Sequence, residues 1–147
     1  MNYRKNSLSR LREAGEQASF DSSKVLLLVL EEGSDEHPFY LDLINDQIYL
    51  SDSIKLMWGL STEDQTPLNA EDFTASLASS KEKERSLQQV TRCISQKKHV
   101  EYIFTGIRKN TGETIRVLIK MNPLVDTNGN VVAIYGTDRL LEVLGQQ

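Results

Sequence analysis

Residues 99–140 read HVEYIFTGIRKNTGETIRVLIKMNPLVDTNGNVVAIYGTDRL. Three runs rich in β-branched and aromatic residues, Val100–Lys109, Glu113–Leu124 and Asn130–Thr137, are separated by Asn110-Thr111-Gly112 and Asp126-Thr127-Asn128-Gly129. Both separators end on glycine and supply residues that tolerate positive φ, as a hairpin requires. The stretch therefore predicts three hairpin-linked strands in an antiparallel meander. No cluster of reactive side chains runs along it, which points to a sensing or docking module rather than a catalyst.

Upstream of the meander the signals alternate. Ser79-Ser80 followed by Lys81-Glu82-Lys83-Glu84 caps the longest predicted helix, which runs to about Gln96 with Leu87, Val90 and Ile94 in a stripe beside Cys93. Glu71–Leu77 is a shorter helical piece, and Leu60–Ala70 reads as loop. Ser51 or Asp52 caps a short helix, Ser53–Trp58, stopped by Gly59. Before it, Phe39–Ile44 and Gln47–Ser51 flank Asn45-Asp46, a two-residue hairpin signal. Lys24–Glu32 contains the continuous apolar run Val25–Leu30, which fits a buried strand as well as a helix; its cap and stop signals favour a helix. Ser7 to Ser19 is a helix with a thin apolar face, marked by Leu8 and Leu11. The order predicts an α+β domain: a five-stranded antiparallel sheet with helices on one face and an N-terminal helical extension. Residues 1–21 form that extension, 22–140 the domain, and 141–147 the start of a C-terminal linker helix on Leu140, Leu141 and Leu144.

Composition narrows the class. The 147 residues suit one domain with a real core. A formal net charge of -4 argues against nucleic acid as the main partner. A single cysteine, Cys93, precludes an internal disulfide and fits a reducing, cytoplasmic setting. The longest apolar run is far too short for membrane insertion, and the N-terminus lacks a signal-peptide core.

Residue chemistry points away from catalysis. His37 and His99 sit near a strand start and a helix–strand junction, in no nucleophile context, and no Cys/His spacing suits zinc. Cys93 reads as a small core hydrophobe. Asp42 and Asp138 each interrupt a strand-like segment, for which an edge or cap role is the simplest account. Asp42 is the one carboxylate that a small α+β enzyme could use.

The ordered motifs resemble those of a PAS domain of the bacterial sensory type. The resemblance rests on Phe39–Asp46, Ser51-Asp52-Ser53, Met57-Trp58-Gly59-Leu60-Ser61, the Asn110-Thr111-Gly112 turn, and the series Pro123, Asp126, Gly129, Val131–Tyr135, Gly136, Asp138. It covers Lys24 to Leu144. The chain departs from the family where Leu77–Glu82 replaces a His-Pro-acidic element and where Asp138-Arg139-Leu140 replaces Asp-Ile-Thr. The resemblance implies the sensory segment of a longer signalling protein, with Asp138 at the junction to an output domain such as a two-component histidine kinase or a diguanylate cyclase or hydrolase. A flavin photoadduct is disfavoured because Cys93 lacks the Asn-Cys-Arg-like setting. Haem is disfavoured because neither histidine is placed as an axial ligand. The cofactor, if any, stays open.

Two of the three meander strands are apolar on both faces, so the sheet needs two covers. On the inner face, the expected lining of a small-molecule ligand cavity is Trp58, Phe73, Leu87, Val90, Val117, Ile119 and Tyr135; plain core packing is the competing expectation. On the outer face, Leu118, Val132 and Ile134 would meet Leu8 and Leu11 of the N-terminal helix, within one subunit or across a homodimer.

Overall fold

The computed structural model describes residues 35–64, 66 and 68–146. The expected helices at Ser7–Ser19 and Lys24–Glu32, with Leu8 and Leu11, lie outside the described residues. The elements are β1 (His37–Asp42), β2 (Gln47–Leu50), α1 (Asp52–Met57), α2 (Ala70–Leu77), α3 (Ser80–Gln96), β3 (Val100–Ile107), β4 (Glu113–Val125) and β5 (Val131–Gln146). The strands form one antiparallel sheet in the order β2-β1-β5-β4-β3.

Local chemistry sets most of the boundaries. Ser51, Asn69 and Ser79 cap α1, α2 and α3, each side-chain oxygen accepting a backbone N–H of the first turn. Gly59 ends α1 at φ +73°, and a Cβ there would sit 2.2 Å from Asn110 Oδ1, so glycine is required for both conformation and space. The β1–β2 connection spans Leu43 to Asp46 rather than two residues, because Asp42 folds it. Asp42 Oδ1 accepts the backbone N–H of Ile44 (2.9 Å) and Asn45 (3.1 Å), and Oδ2 accepts Asn45 Nδ2 (2.8 Å). Asp42 is thus a turn-forming carboxylate, and the enzyme reading built on it lacks a buried acid.

The long helix packs on the sheet through Ser86, Val90 and Cys93, spaced i, i+4, i+7. Leu87 lies about 100° around the helix from Ser86 and is 57% exposed, which corrects its place in the stripe. The rotation is set by polar contacts with β3, an edge strand. Glu82 accepts the Thr105 N–H at 3.1 Å, Arg85 donates to the Ile103 carbonyl, and the two side chains pair at 2.8 Å. That ion pair occupies backbone groups an unprotected edge would offer to another strand.

The strongest departure from expectation is at the C-terminus. Leu140, Leu141 and Leu144 do not begin a helix: β5 runs on to Gln146, paired with β4 as far back as Glu113. The early half of β4 needs a ladder partner, and the continuing chain supplies it. Leu141 and Leu144 have no partner residue in β4, being the extra residues at two β-bulges.

The phase of β5 also differs. Register and burial turn Ile134, Gly136 and Asp138 toward the helices, in line with Phe39 and Leu41 on β1 and with Val117, Ile119 and Met121 on β4. Ile134, fully buried in the core, therefore leaves the outer set; Leu118 remains on it, and Val132 is the extra residue at a bulge opposite Leu124 and Val125. Tyr135 is opposite Tyr40 on the outer face. Gly136 fixes this phase. A Cβ there would lie 1.8 Å from the Lys120 carbonyl oxygen and 3.0 Å from Phe39 Cζ, so the Phe39 ring covers a position where no side chain fits.

Candidate functional site

Between the sheet and the helices lies a cavity of about 80 Å³. Typical drug-sized sites are roughly 300–1,000 Å³, so only a much smaller molecule would fit here. The walls are apolar and rich in aromatic rings, among them Phe39, Trp58, Phe73, Tyr102 and Phe104.

Trp58 is placed by backbone geometry. It is the C-cap of α1 and donates its N–H to the Ile54 carbonyl at 3.0 Å. Its own carbonyl accepts Lys109 N–H at 2.9 Å, which ties α1 to the end of β3. Phe104 meets the indole edge-to-face, with centroids 5.7 Å apart at 79°. Gly106 makes room for the ring, since a Cβ there would approach Trp58 Cζ3 to 2.8 Å. The buried indole N–H finds no acceptor of ordinary hydrogen-bond geometry among the described residues.

Four further polar residues reach the cavity wall, of which Thr74 donates its hydroxyl to the Ala70 carbonyl at 3.0 Å. Ser86 Oγ and Tyr102 Oη share a hydrogen bond of 2.8 Å; burial raises the Tyr102 pKa, and the Ser86 contact partly offsets it. Asp138 projects from β5 and is 6% exposed. Burial pushes its carboxyl up to about 7, while the nearby Trp58 indole favours the charged form without reaching full hydrogen-bond geometry. Among the described residues the cavity wall contains no lysine, arginine or histidine.

Of the residues expected to line a cavity, Trp58, Phe73, Val90 and Ile119 come together there. Val117 is fully buried but belongs to the adjoining core. Leu87 faces outward from α3, and Tyr135 lies on the opposite face of the sheet. Asp138, expected at an output junction, lines the cavity. Its sequence signal was an acid interrupting an apolar strand two residues after Gly136. Tyr102 and Ser86 carried no distinguishing signal.

The remaining reactive side chains lie elsewhere. Cys93 is buried, and burial raises its pKa, so the thiol stays protonated and unreactive. His99 is a surface residue whose Nε2 pairs with Glu101 at 2.6 Å and whose Nδ1 meets Asn122 at 2.8 Å. Among the described residues no group of His, Cys, Asp and Glu could hold a metal ion, and no helix is long and apolar enough to cross a membrane.

A five-stranded antiparallel sheet in this order, with its helices enclosing a small cavity on one face, matches solved sensory domains. The chain has the PAS fold. The N-terminal domain of a diguanylate cyclase with PAS/PAC sensor from Marinobacter aquaeolei superposes with a TM-score of 0.60 at 13% identity, covering 70% of this chain and 92% of that one. A sensory box histidine kinase/response regulator from Burkholderia thailandensis gives 0.62 at 11% identity, covering 78% and 82%. The PAS domain of the fruit-fly ELK potassium channel gives 0.60 at 18% identity, covering 79% and 94%. No protein-family model matches the chain, and no curated protein sequence matches it significantly. The PAS fold is thus reached through geometry, with little sequence in common.

Proposed function

We propose that this PAS domain is a non-catalytic, cytoplasmic sensory module. A small molecule binds in the cavity, and the response passes to an output domain of the kinase or cyclic-di-GMP type, with a homodimer as the working unit. The observation that carries the reading is Asp138, a buried carboxyl at the wall of a mostly apolar, aromatic-lined cavity. Such a group is costly in a purely structural core and useful in a binding site, where few polar groups orient a ligand. A ligand that changes Asp138 or Trp58 acts on α1, on the end of β3 and on β5 together, so binding can shift the balance between two arrangements of the sheet. The solved relatives support the sensory role, since they include the PAS segments of a cyclase and of a histidine kinase.

A screen of a fragment library by protein-observed NMR tests the reading, with Val90→Phe as the cavity-filled control. Expected are hits that shift resonances of Trp58, Phe73, Ile119 and Asp138 and vanish in the variant. Hits confined to other surfaces, or none, would contradict it.

A further inference from the structure

A buried carboxyl is normally balanced by a cation or by several hydrogen bonds. Asp138 has neither within the described structure. Trp58 on α1 is close without full hydrogen-bond geometry. On β1 its register partner is His37, which does not line the cavity. On β4 the partner is the apolar Ile119. On β3, Tyr102 already shares its hydroxyl with Ser86. Glu82 and Arg85 of α3 pair with each other at the sheet edge. Among the described residues the wall of the cavity thus carries one acid, no base, and five aromatic rings.

We propose that the cavity takes a small organic cation, in its simplest form a protonated alkylamine, whose ammonium group pairs with Asp138 and whose apolar part lies against the aromatic wall. The inference rests on the reading of the cavity as a ligand site and adds the charge and class of the ligand. Each part of the site has a role in it. The carboxylate supplies the counter-charge the wall otherwise lacks. An aromatic wall of Phe39, Trp58, Phe73, Tyr102 and Phe104 favours a cation over a neutral group of the same shape wherever a ring face meets it. The orphan Trp58 N–H gains an acceptor once Asp138 is held as a carboxylate, so ligand binding closes the Trp58–Asp138 contact. Through the C-cap of α1 that closure reaches Lys109 and the end of β3. The small volume confines the ligand to a short chain.

The test uses three probes of nearly equal size, n-propylammonium, n-propanol and propionate, at constant ionic strength. Because Trp58 is the only tryptophan in the sequence, its emission reports on the site directly. At pH 8, saturable binding of propylammonium at least tenfold tighter than propanol is expected, with no saturable response to propionate. Asp138→Asn should bring propylammonium to the level of propanol. Should that variant fail to fold, the wild-type chain decides: propylammonium binding tightens from pH 6 to pH 8 and propanol binding does not. A preference for the ammonium below tenfold overturns the cation inference while leaving a ligand cavity that binds neutral molecules. Absence of a saturable response to all three overturns the cavity reading as well.

Discussion

The two halves of β5 belong to one continuous strand and have opposite surroundings. From Ala133 to Asp138 the strand lies between β1 and β4, with Ala133 1%, Ile134 0% and Asp138 6% exposed. From Leu140 onward it has passed the end of β1 and pairs with β4 alone; Leu140, Leu141, Val143 and Leu144 are 38–46% exposed. Apolar residues fill both halves, so hydrophobicity does not distinguish them. What does is the number of flanking strands and the presence of a helical cover. The first half holds the domain together and carries the cavity carboxyl. The second is an edge ribbon, held by β4 alone with β3 beyond it, with apolar side chains available to a partner, and it begins two residues beyond Asp138.

Substitutions should separate the halves sharply. Gly136→Ala gives the largest effect, because its Cβ would have to occupy space 1.8 Å from the Lys120 carbonyl oxygen. A loss above about 4 kcal/mol is expected in chemical denaturation, enough to abolish a cooperative transition. Ile134→Ala should cost about 2–5 kcal/mol through the cavity it leaves, read from the denaturation midpoint. Val143→Ala, in the ribbon, should change stability by no more than about 0.5 kcal/mol in the same assay. Equal costs for the last two would erase the distinction between the halves.

The contrast was only partly legible in the sequence. The meander turns, the serine and asparagine caps and Gly59 are local signals, and they place α1, α2, α3, β3 and β4 close to where the structure has them. The phase of β5 is not local. Val131, Val132, Ala133, Ile134 and Tyr135 are apolar on both faces, and only the contact of Gly136 with Lys120 and Phe39 orients them. The leucines at 140, 141 and 144 fit a helical stripe and a bulged strand equally well; the deciding factor is the side of early β4 that faces away from β3, far away in sequence. The rotation of α3 likewise depends on Glu82 and Arg85 meeting the edge of β3, and so Leu87 points away from the cavity while Val90 lines it. Asp138 stood out as an acid in an apolar strand, yet its place in the cavity follows from the same phase that the sequence left open.

The position of Asp138 also gives a pH dependence. Its folded pKa, about 7, lies above the ordinary 3.8, so the folded state holds the proton more tightly than the unfolded chain. Stability conferred by the protonated form is fully present below pH 3.8 and is lost as pH rises toward 7. Relative to Asp138→Asn, the wild-type chain should lose stability steadily between about pH 4 and pH 7 and run parallel to it above. Taking the difference between the two removes the contribution of the exposed His99–Glu101 pair, which both share. Parallel curves across the whole range would place Asp138 in contact with water.

The most direct measurement is a titration of the Asp138 side-chain carboxyl carbon by NMR in the ligand-free protein. A midpoint near 7 is expected of a carboxyl buried in the cavity beside Trp58. A midpoint near 3.8, the ordinary value, would contradict a buried acid at this site and with it the proposed ligand chemistry.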